Sequence, residues 1–351
     1  MFEQFIGTKP VEERQRIDRA SLEKFLGFKI GNIEQFKGGQ SNPTYKLTAA
    51  DGRAYVLRRK PPGKLLPSAH AVDREYRVIK ALHKAAFPVA RPHVLCEDES
   101  VIGTVFYVMD FVDGRVLWDP ALPGMTREQR AAIWDEQNRV IALLHSLDYR
   151  SIGLEDFGKP GNYIGRQVER WSKQYRASET QRIEAMDKLI GWLPKNLPPE
   201  AGTTVVHGDF RLDNTIFHPT EPRILAVLDW ELSTLGDPLA DFAYHCMSWH
   251  IPPDKFRGIA GLDLAQLGIP GEREYVAMYC KRTSRTSIDQ AHWDFYLAYN
   301  LFRIAAICQG IAKRVVDGTA SSEHAREAGA RARPLGELGW AQVEKILQRA
   351  A

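Results

Sequence analysis

The sequence predicts an α+β fold in two lobes, a small antiparallel sheet followed by a larger, mostly helical part. Three observations lead there. The chain has 351 residues, beyond the roughly 250–300 at which a single hydrophobic core stops growing. Its first third breaks into short apolar segments separated by Gly, Asn, Asp and Pro, the composition of strands joined by turns. From about Arg127 the apolar residues recur at helical spacing. Strands first and helices later make an α+β chain.

In chain order, a helix is expected over Val11–Leu26. Strands follow at Ile33–Lys37, Thr44–Thr48 and Arg53–Arg59, with Gly38-Gly39, Ser41-Asn42-Pro43 and Asp51-Gly52 as the turns between them. Ala71–Ala85 places Val72, Tyr76, Ile79 and Leu82 on one helical face, and two strands come after it, near His93–Glu97 and Val105–Met109. Helices are then expected at Glu128–Leu147, Tyr163–Ala177, Arg182–Trp192, Leu239–Trp249, Glu272–Cys280 and His292–Val316. The segment Thr319–Arg333, rich in Ala, Ser, Gly and charge, reads as loose. The expected division is 1–112 for the small lobe and 113–351 for the large one.

Composition narrows the classes of function. With 44% hydrophobic and 26% charged residues, the chain is an ordinary globular protein. Its net charge is +3 and its longest basic run is Arg58-Arg59-Lys60, so nucleic acid is not an expected partner. The four cysteines, Cys96, Cys246, Cys280 and Cys308, are far apart and show no CxxC spacing, which argues for reduced thiols rather than zinc or disulfides. Met1–Val11 has no signal-peptide core, and no apolar run reaches the ~18 residues of a membrane span. A cytoplasmic protein without a membrane partner is expected.

The chemistry concentrates in His207-Gly208-Asp209-Phe210-Arg211-Leu212-Asp213-Asn214, followed by Leu228-Asp229-Trp230-Glu231. Written as a pattern this is H-G-D-x4-N, then an acidic residue at the end of an apolar strand. Moving a terminal phosphoryl group to a hydroxyl needs a base or orienting group, oxygen ligands for Mg2+, and positive charge on the phosphates. Asp209 suits the first role. Asn214 and Asp229 supply the hard oxygens that Mg2+ prefers. Thr204-Val205-Val206, Thr215-Ile216-Phe217 and Ile224–Leu228 read as short buried strands, so base and ligands fall on loops and strand ends. His245 and His250, on or just after an apolar helix, read as core or surface histidines rather than metal ligands.

Earlier segments suit nucleotide phosphates. Gly38, Gly39, Ser41 and Asn42 form a turn between strands, where backbone N–H groups can approach phosphate oxygens because no side chain blocks them. Arg58 alternates onto the strand face opposite Leu57, with reach toward α and β phosphates, and Arg59 points the other way. Glu75 in the next helix is the natural ion-pair partner for Arg58. The run Phe106–Gly114 leaves a strand and enters a linker, where backbone groups from Asp110 to Val112 can meet an adenine edge while Met109 and Phe111 pack near its face.

This ordered set resembles the aminoglycoside phosphotransferase family of small-molecule kinases, a branch of the protein-kinase-like fold, over roughly residues 30–320. The segments Val56–Gly63, His207–Asn214 and Leu228–Asp241 are especially similar to a subgroup whose kinase-like domain is found fused to acyl-CoA dehydrogenases. The resemblance implies a bilobal protein-kinase-like fold with a small antiparallel-sheet N-lobe and a mostly helical C-lobe. It also implies ATP and Mg2+ as cofactors, Asp209 as catalytic base, Asn214 and Asp229 as metal ligands, and Arg58 with its partner Glu75 at the phosphates. Asp237 and Asp241 match a second acidic motif that supports the loops, and His207 packs under the catalytic loop.

Departures from protein kinases are informative. Gly208 stands where regulated protein kinases carry the Arg of H-R-D, so the receiver for an activation-loop phosphate is missing. Asp229-Trp230-Glu231 lacks the Gly of D-F-G, and a constitutively formed metal site is expected. Arg58 replaces the usual Lys, keeping the charge and adding a fork. The acceptor is expected to be a small-molecule hydroxyl. Arg150–Lys195 carries nine Lys/Arg against six Asp/Glu and Ile251–Ala351 fourteen against eleven, so neither stretch offers the acidic surface a polycationic aminoglycoside calls for. A less cationic, partly apolar hydroxyl substrate fits better. The resemblance to the dehydrogenase-fused subgroup implies a hydroxyacyl-CoA-type metabolite, with choline or another amino alcohol, a sugar and an aminoglycoside as the alternatives, and a catalytically silent nucleotide-binding protein as the alternative of another class.

Overall fold

The computed structural model describes residues 6–38, 42–61, 71–319 and 324–351. In chain order the elements are β1 (Thr8–Pro10), α1 (Arg19–Leu26), β2 (Ile30–Phe36), β3 (Thr44–Ala49), β4 (Ala54–Arg59), α2 (Val72–Lys84), β5 (Pro92–Cys96), β6 (Phe106–Asp110) and β7 (Arg115–Val116). There follow α3 (Arg127–Ser146), α4 (Tyr163–Ala177), α5 (Glu184–Trp192), β8 (Thr204–Val206), β9 (Thr215–Phe217), β10 (Ile224–Val227), β11 (Thr234–Gly236) and α6 (Pro238–Cys246). The chain ends with α7 (Leu264–Leu267), α8 (Glu272–Arg282), α9 (Gln290–Val316), α10 (Ala325–Ala330) and α11 (Ala332–Ala350).

These elements pack as two compact units. The first comprises Met1–Trp118, Arg150–Glu155 and Asp213–Ser233; the second comprises Asp119–Tyr149, Asp156–Leu212 and Thr234–Ala351. The α+β, kinase-like architecture expected from the sequence is the one observed, an antiparallel sheet in the N-terminal region and helices in the C-terminal part.

In the first unit an antiparallel sheet runs in the order β1-β2-β3-β4-β6-β5. Period-2 alternation decides its faces. Tyr45, Leu47, Tyr55, Leu57, Phe106 and Val108 point into one core with Leu22 of α1, and Arg58 pairs in register with Tyr107. A second, three-stranded sheet, β10-β9-β7, closes with a tight approach at Gly114, where an added Cβ would lie 2.4 Å from the Phe217 carbonyl oxygen.

The N-terminal helix is shorter than its composition suggested. Asp18 accepts from the backbone N–H of Ala20 (3.0 Å) and Ser21 (3.3 Å), capping the helix so that it starts at Arg19. Upstream, Glu13–Gln15 makes one 3-10 turn and Thr8–Pro10 pairs with β2 instead of continuing a helix. The expected strands and the helix at Ala71–Ala85 are present, displaced by up to three residues at their ends.

In the second unit α9 is the hub. It packs against α4, α6, α10 and α11 and buries residues on every side, including Trp293, Phe295, Leu297, Tyr299, Leu301 and Phe302. Among the described residues it is the one helix long and apolar enough to cross a membrane by length and composition, and 78% of its apolar window is buried within the protein.

The loose reading of Thr319–Arg333 is overturned for Ala325–Ala330, which is helical, and α11 was not anticipated. The cause is the same in both. A Cβ on Gly329 would lie 2.9 Å from Cα of Ala312, one on Gly336 2.9 Å from Sδ of Met186, and one on Gly339 3.2 Å from Leu189. Small residues here let helix backbones approach closely, where composition suggested slackness.

His245 on α6 illustrates the second core. Its Nε2 lies 2.8 Å from the Tyr275 hydroxyl and its ring meets Phe210, Trp134 and Trp249. Burial lowers its pKa to about 4, against a smaller opposing pull from Asp241. The fold therefore holds His245 neutral, and between about pH 6.5 and 4 the unfolded chain binds the extra proton. Stability present above pH 6.5 is lost as pH falls through that window, about 2 kcal/mol between pH 7 and 5. Urea unfolding should show this slope, and His245→Gln should flatten it; an unchanged slope in the variant contradicts the assignment.

Candidate active site

In the first unit the residues expected at the phosphates converge on Arg58. Its strand carries Leu57 into the core and Arg58 to the opposite face, while Arg59 goes the other way to hydrogen-bond Gln15 and lie over the Tyr45 ring. Nε of Arg58 lies 2.8 Å from Glu75 Oε2, and Nη2 donates to Asp229 Oδ1 at 2.8 Å, with Glu231 at 3.5 Å. Asn42 Nδ2 donates to the other Glu75 oxygen at 2.9 Å, and the Tyr107 hydroxyl donates to Oε2 at 3.1 Å.

Burial of Glu75 would be costly without these partners. Desolvation pushes its carboxyl above the ordinary range, opposed mainly by the Arg58 guanidinium. Burial likewise works against the Arg58 charge, but Glu75 and Asp229 more than offset it and raise its pKa. The guanidinium thus opposes the desolvation of Glu75, and the carboxylates oppose that of Arg58.

Asp229 takes the left-handed conformation, φ 63° and ψ 63°, directly after β10 and before a 3-10 turn at Trp230–Leu232. Aspartate tolerates this region better than most residues, yet the strain clusters at functional positions. The backbone around it is fastened: Leu228 N–H donates to the Asn214 carbonyl at 2.8 Å, and Trp230 Nε1 donates to the Val227 carbonyl at 3.0 Å. The Leu228–Asn214 bond ties together the chain segments bearing Asn214 and Asp229, the two oxygen donors expected for Mg2+. Their chemistry fits the ion, which takes few protein oxygens and keeps its waters. The side chain of Asp229 is about one-third exposed, so it is open to a ligand.

The turn residues divide. Gly38 lies in a bend after β2, and Gly39 and Ser41 lie outside the described residues. Asn42 is buried and works through Glu75. At the linker, the Asp110 N–H is taken by the Arg91 carbonyl (2.9 Å) and the Phe111 N–H by Ala54 (3.2 Å), while the Asp110 carboxylate meets His93 Nε2 at 2.6 Å. The expectation that backbone from Asp110 to Val112 serves an adenine edge thus narrows. The N–H groups of Asp110 and Phe111 are sheet bonds, and only that of Val112 makes no hydrogen bond among the described residues. Phe111 itself stacks near Phe36 (6.4 Å) with Lys46 4.2 Å over its ring.

In the second unit the strand β8 delivers His207-Gly208-Asp209. Gly208 has φ +83°, a conformation that suits glycine and opposes an Arg there. Asp241, in the first turn of α6, accepts from the N–H of His207 (2.7 Å) and of Gly208 (2.8 Å) and pairs with His145 Nε2 at 3.1 Å. Asp237 caps α6 through the N–H of Leu239 and Ala240 and accepts from the Tyr296 hydroxyl at 2.9 Å. His207 is buried, and its Nδ1 accepts from the Asp209 N–H at 3.1 Å.

Asp209 is thereby aimed by a rigid frame. Its Oδ1 receives a short hydrogen bond from the Tyr244 hydroxyl, and Arg211 contacts both carboxylate oxygens, at 2.9 and 3.0 Å. Burial pushes its pKa up, but Arg211, Tyr244, His207 and Arg303 together hold it below the ordinary aspartate value. The carboxylate stays charged across the physiological range, suited to orienting a hydroxyl and receiving its proton late in the reaction. Sequence reading missed Tyr244, Arg303 and His145, because each reaches the loop from a helix distant in the chain. Arg211 lay inside the quoted motif, and only its spacing from Asp209 hinted at contact.

Fold and residues together define a kinase-like small-molecule phosphotransferase. A model of the phosphotransferase enzyme family matches residues 32–278, and the chain belongs to that family, whose members are small-molecule kinases that phosphorylate hydroxyl groups. Mouse acyl-CoA dehydrogenase family member 10 is 49% identical over 342 residues, which is 95% of this chain and 32% of that protein. Mouse acyl-CoA dehydrogenase family member 11 is 43% identical over 97% of this chain and 45% of its own length. The chain thus spans a third to a half of these relatives, and it fits the kinase-like subgroup expected from its motifs.

A solved chain from Ralstonia eutropha JMP134, whose name assigns it provisionally to the aminoglycoside phosphotransferases, is 57% identical. It aligns over 94% of this chain and 99% of its own with a TM-score of 0.85. An aminoglycoside phosphotransferase solved with ADP and hygromycin B (14% identity, 93% and 98% covered, TM-score 0.61) shares the fold. So does choline kinase from Cryptosporidium parvum Iowa II (11% identity, 92% and 91% covered, TM-score 0.63).

Proposed function

We propose that this protein is an ATP- and Mg2+-dependent cytoplasmic kinase that moves the γ-phosphoryl group of ATP to the hydroxyl of a hydroxyacyl-CoA-type metabolite. The observation that carries the reading is the retention of a complete set of roles. Arg58, braced by Glu75, supplies fixed positive charge for the phosphates, and Asn214 with Asp229 supplies oxygen donors for the metal. Asp209, held ionised, orients the acceptor. Residues 1–112 serve the nucleotide, with Asn42 acting through Glu75 and the Val112 N–H meeting the base near Asp110. Residues 113–351 serve the acceptor. The names of the curated relatives and the absence of an acidic surplus in Arg150–Lys195 support an acyl thioester over a polycation.

In the reaction the acceptor oxygen bonds to the γ-phosphorus as the bond to the β-phosphate oxygen breaks, ADP departs, and the hydroxyl proton passes to Asp209. Asn214 and Asp229 would hold Mg2+, which would supply charge neutralisation at the phosphates. Arg58 holds the phosphates from the side of Glu75, and the frame of Asp241, His207 and Tyr244 keeps Asp209 from turning away.

Thermal unfolding with ATP, with and without Mg2+, tests the nucleotide side. Bound ligand at about 100 Kd adds about 2.7 kcal/mol, so a clear Mg2+-dependent rise in Tm is expected in the native chain and its loss in Asp229→Ala. The same rise in that variant, or none in the native chain, contradicts the reading.

A further inference from the structure

The second unit holds a buried cation that helps keep Asp209 ionised and has further contacts which that role does not explain. Arg303 on α9 is 6% exposed. One of its nitrogens donates to the Gly208 carbonyl at 2.6 Å, but its Nε is buried without a hydrogen-bond partner, and it makes no ion pair with a carboxylate among the described residues. Its close neighbours are rings: Trp171 of α4 at 5.6 Å and Tyr244 of α6 at 5.0 Å. Beside it on the same helix, one turn back, Tyr299 is fully buried, and its hydroxyl also lacks a partner. The two residues are four positions apart on α9, which sets their side chains on one face of the helix.

An unsatisfied buried donor is costly, and more so when charged. Two such groups together, next to Tyr244 and the Asp209 it holds, point to a ligand oxygen. The rings matter as well. A cage of Trp and Tyr is the usual receptor for a quaternary ammonium, but here the cage is filled by the protein's own guanidinium. A cationic acceptor would meet like charge where it needs an open ring face.

We propose that Arg303 and Tyr299 form an oxygen grip that reads the carbonyl or carboxylate of the acceptor and excludes quaternary ammonium acceptors. The grip rests on the phosphotransferase reading for its place beside the hydroxyl, and it adds a selection rule: the acceptor carries an acyl oxygen within reach of the hydroxyl that Asp209 orients. Arg303 also steadies the Gly208 carbonyl, so it affects both binding and turnover, whereas Tyr299 affects binding alone.

The test is calorimetric titration of the full chain with hydroxybutyryl-CoA regioisomers and with choline, in native, Tyr299→Phe and Arg303→Lys forms, alongside turnover and ATP-dependent thermal shift. The native chain should bind at least one regioisomer and not choline. Tyr299→Phe should weaken that binding about tenfold and raise KM by the same factor at unchanged kcat. Arg303→Lys should weaken it further, and both variants should keep the native thermal shift with ATP. Binding of choline, no binding of any regioisomer, or native affinity in both variants overturns the grip. Thioester binding that depends on the pair, with no phosphorylated product, overturns the proposed reaction and leaves the grip standing.

Discussion

Asp209→Ala lowers phosphoryl transfer by about 10²–10⁴-fold, the range set by a positioned general base, while ATP binding is retained. The size follows from the frame around the carboxylate. Tyr244 and Arg211 engage its oxygens, and Asp241 fixes the backbone on which it stands. Alanine removes the oriented carboxylate and leaves that frame behind, so the loss falls on kcat. Asp209→Asn keeps the shape but cannot take a proton, and its rate should fall close to that of alanine. Steady-state kinetics on both variants, with ATP binding followed in parallel, make the check. Turnover within a few-fold of native in either variant removes Asp209 from the proposed chemistry.

Arg58→Met destabilises the chain by about 3–5 kcal/mol, the cost of leaving one partner of a buried ion pair alone. Glu75 would keep Asn42 and Tyr107 but lose the guanidinium at 2.8 Å that opposes its desolvation. The double variant Arg58→Met with Glu75→Leu should recover most of that stability, because it removes both buried charges, but it should not recover ATP-dependent turnover. Denaturant unfolding of the single and double variants separates structure from function: stability follows the pair, activity follows Arg58. A single variant as stable as the native chain would mean that the buried pair contributes nothing to stability.

Much of the site was legible because its chemistry is local. The pattern H-G-D-x4-N, the strand ending at Asp229, and Arg58 opposite Leu57 are set by spacings of a few residues and by strand alternation. Glu75 was found as the partner of Arg58 through a charge argument, and the structure pairs them at 2.8 Å. The unread part is long-range. Tyr244 and Arg303 lie 35 and 94 positions beyond Asp209, on helices whose patterns announce burial and not destination.

The fold was misread where local rules compete. Asp18 is both a polar residue inside an apparently helical stretch and the cap that starts α1 at Arg19. In α10 the buried positions are Ala325 and Gly329, and in α11 the buried stripe runs through Ala332, Gly336 and Gly339, residues whose small size permits close helix contact and whose composition resembles slack. The adenine-edge reading failed in part for a third reason: the N–H groups of Asp110 and Phe111 were already committed to sheet and loop partners, an assignment that depends on register.

The central claim is phosphoryl transfer from ATP to a small-molecule hydroxyl through Asp209. It is tested most directly by incubating the purified chain with ATP, Mg2+ and a panel of hydroxyacyl thioesters, amino alcohols, sugars and aminoglycosides, and weighing each acceptor by mass spectrometry. The account predicts that a hydroxyacyl thioester gains one phosphoryl group with one ADP released, and that Asp209→Ala forms almost none. No phosphorylated acceptor across the panel, or product formed by Asp209→Ala at the native rate, would contradict it.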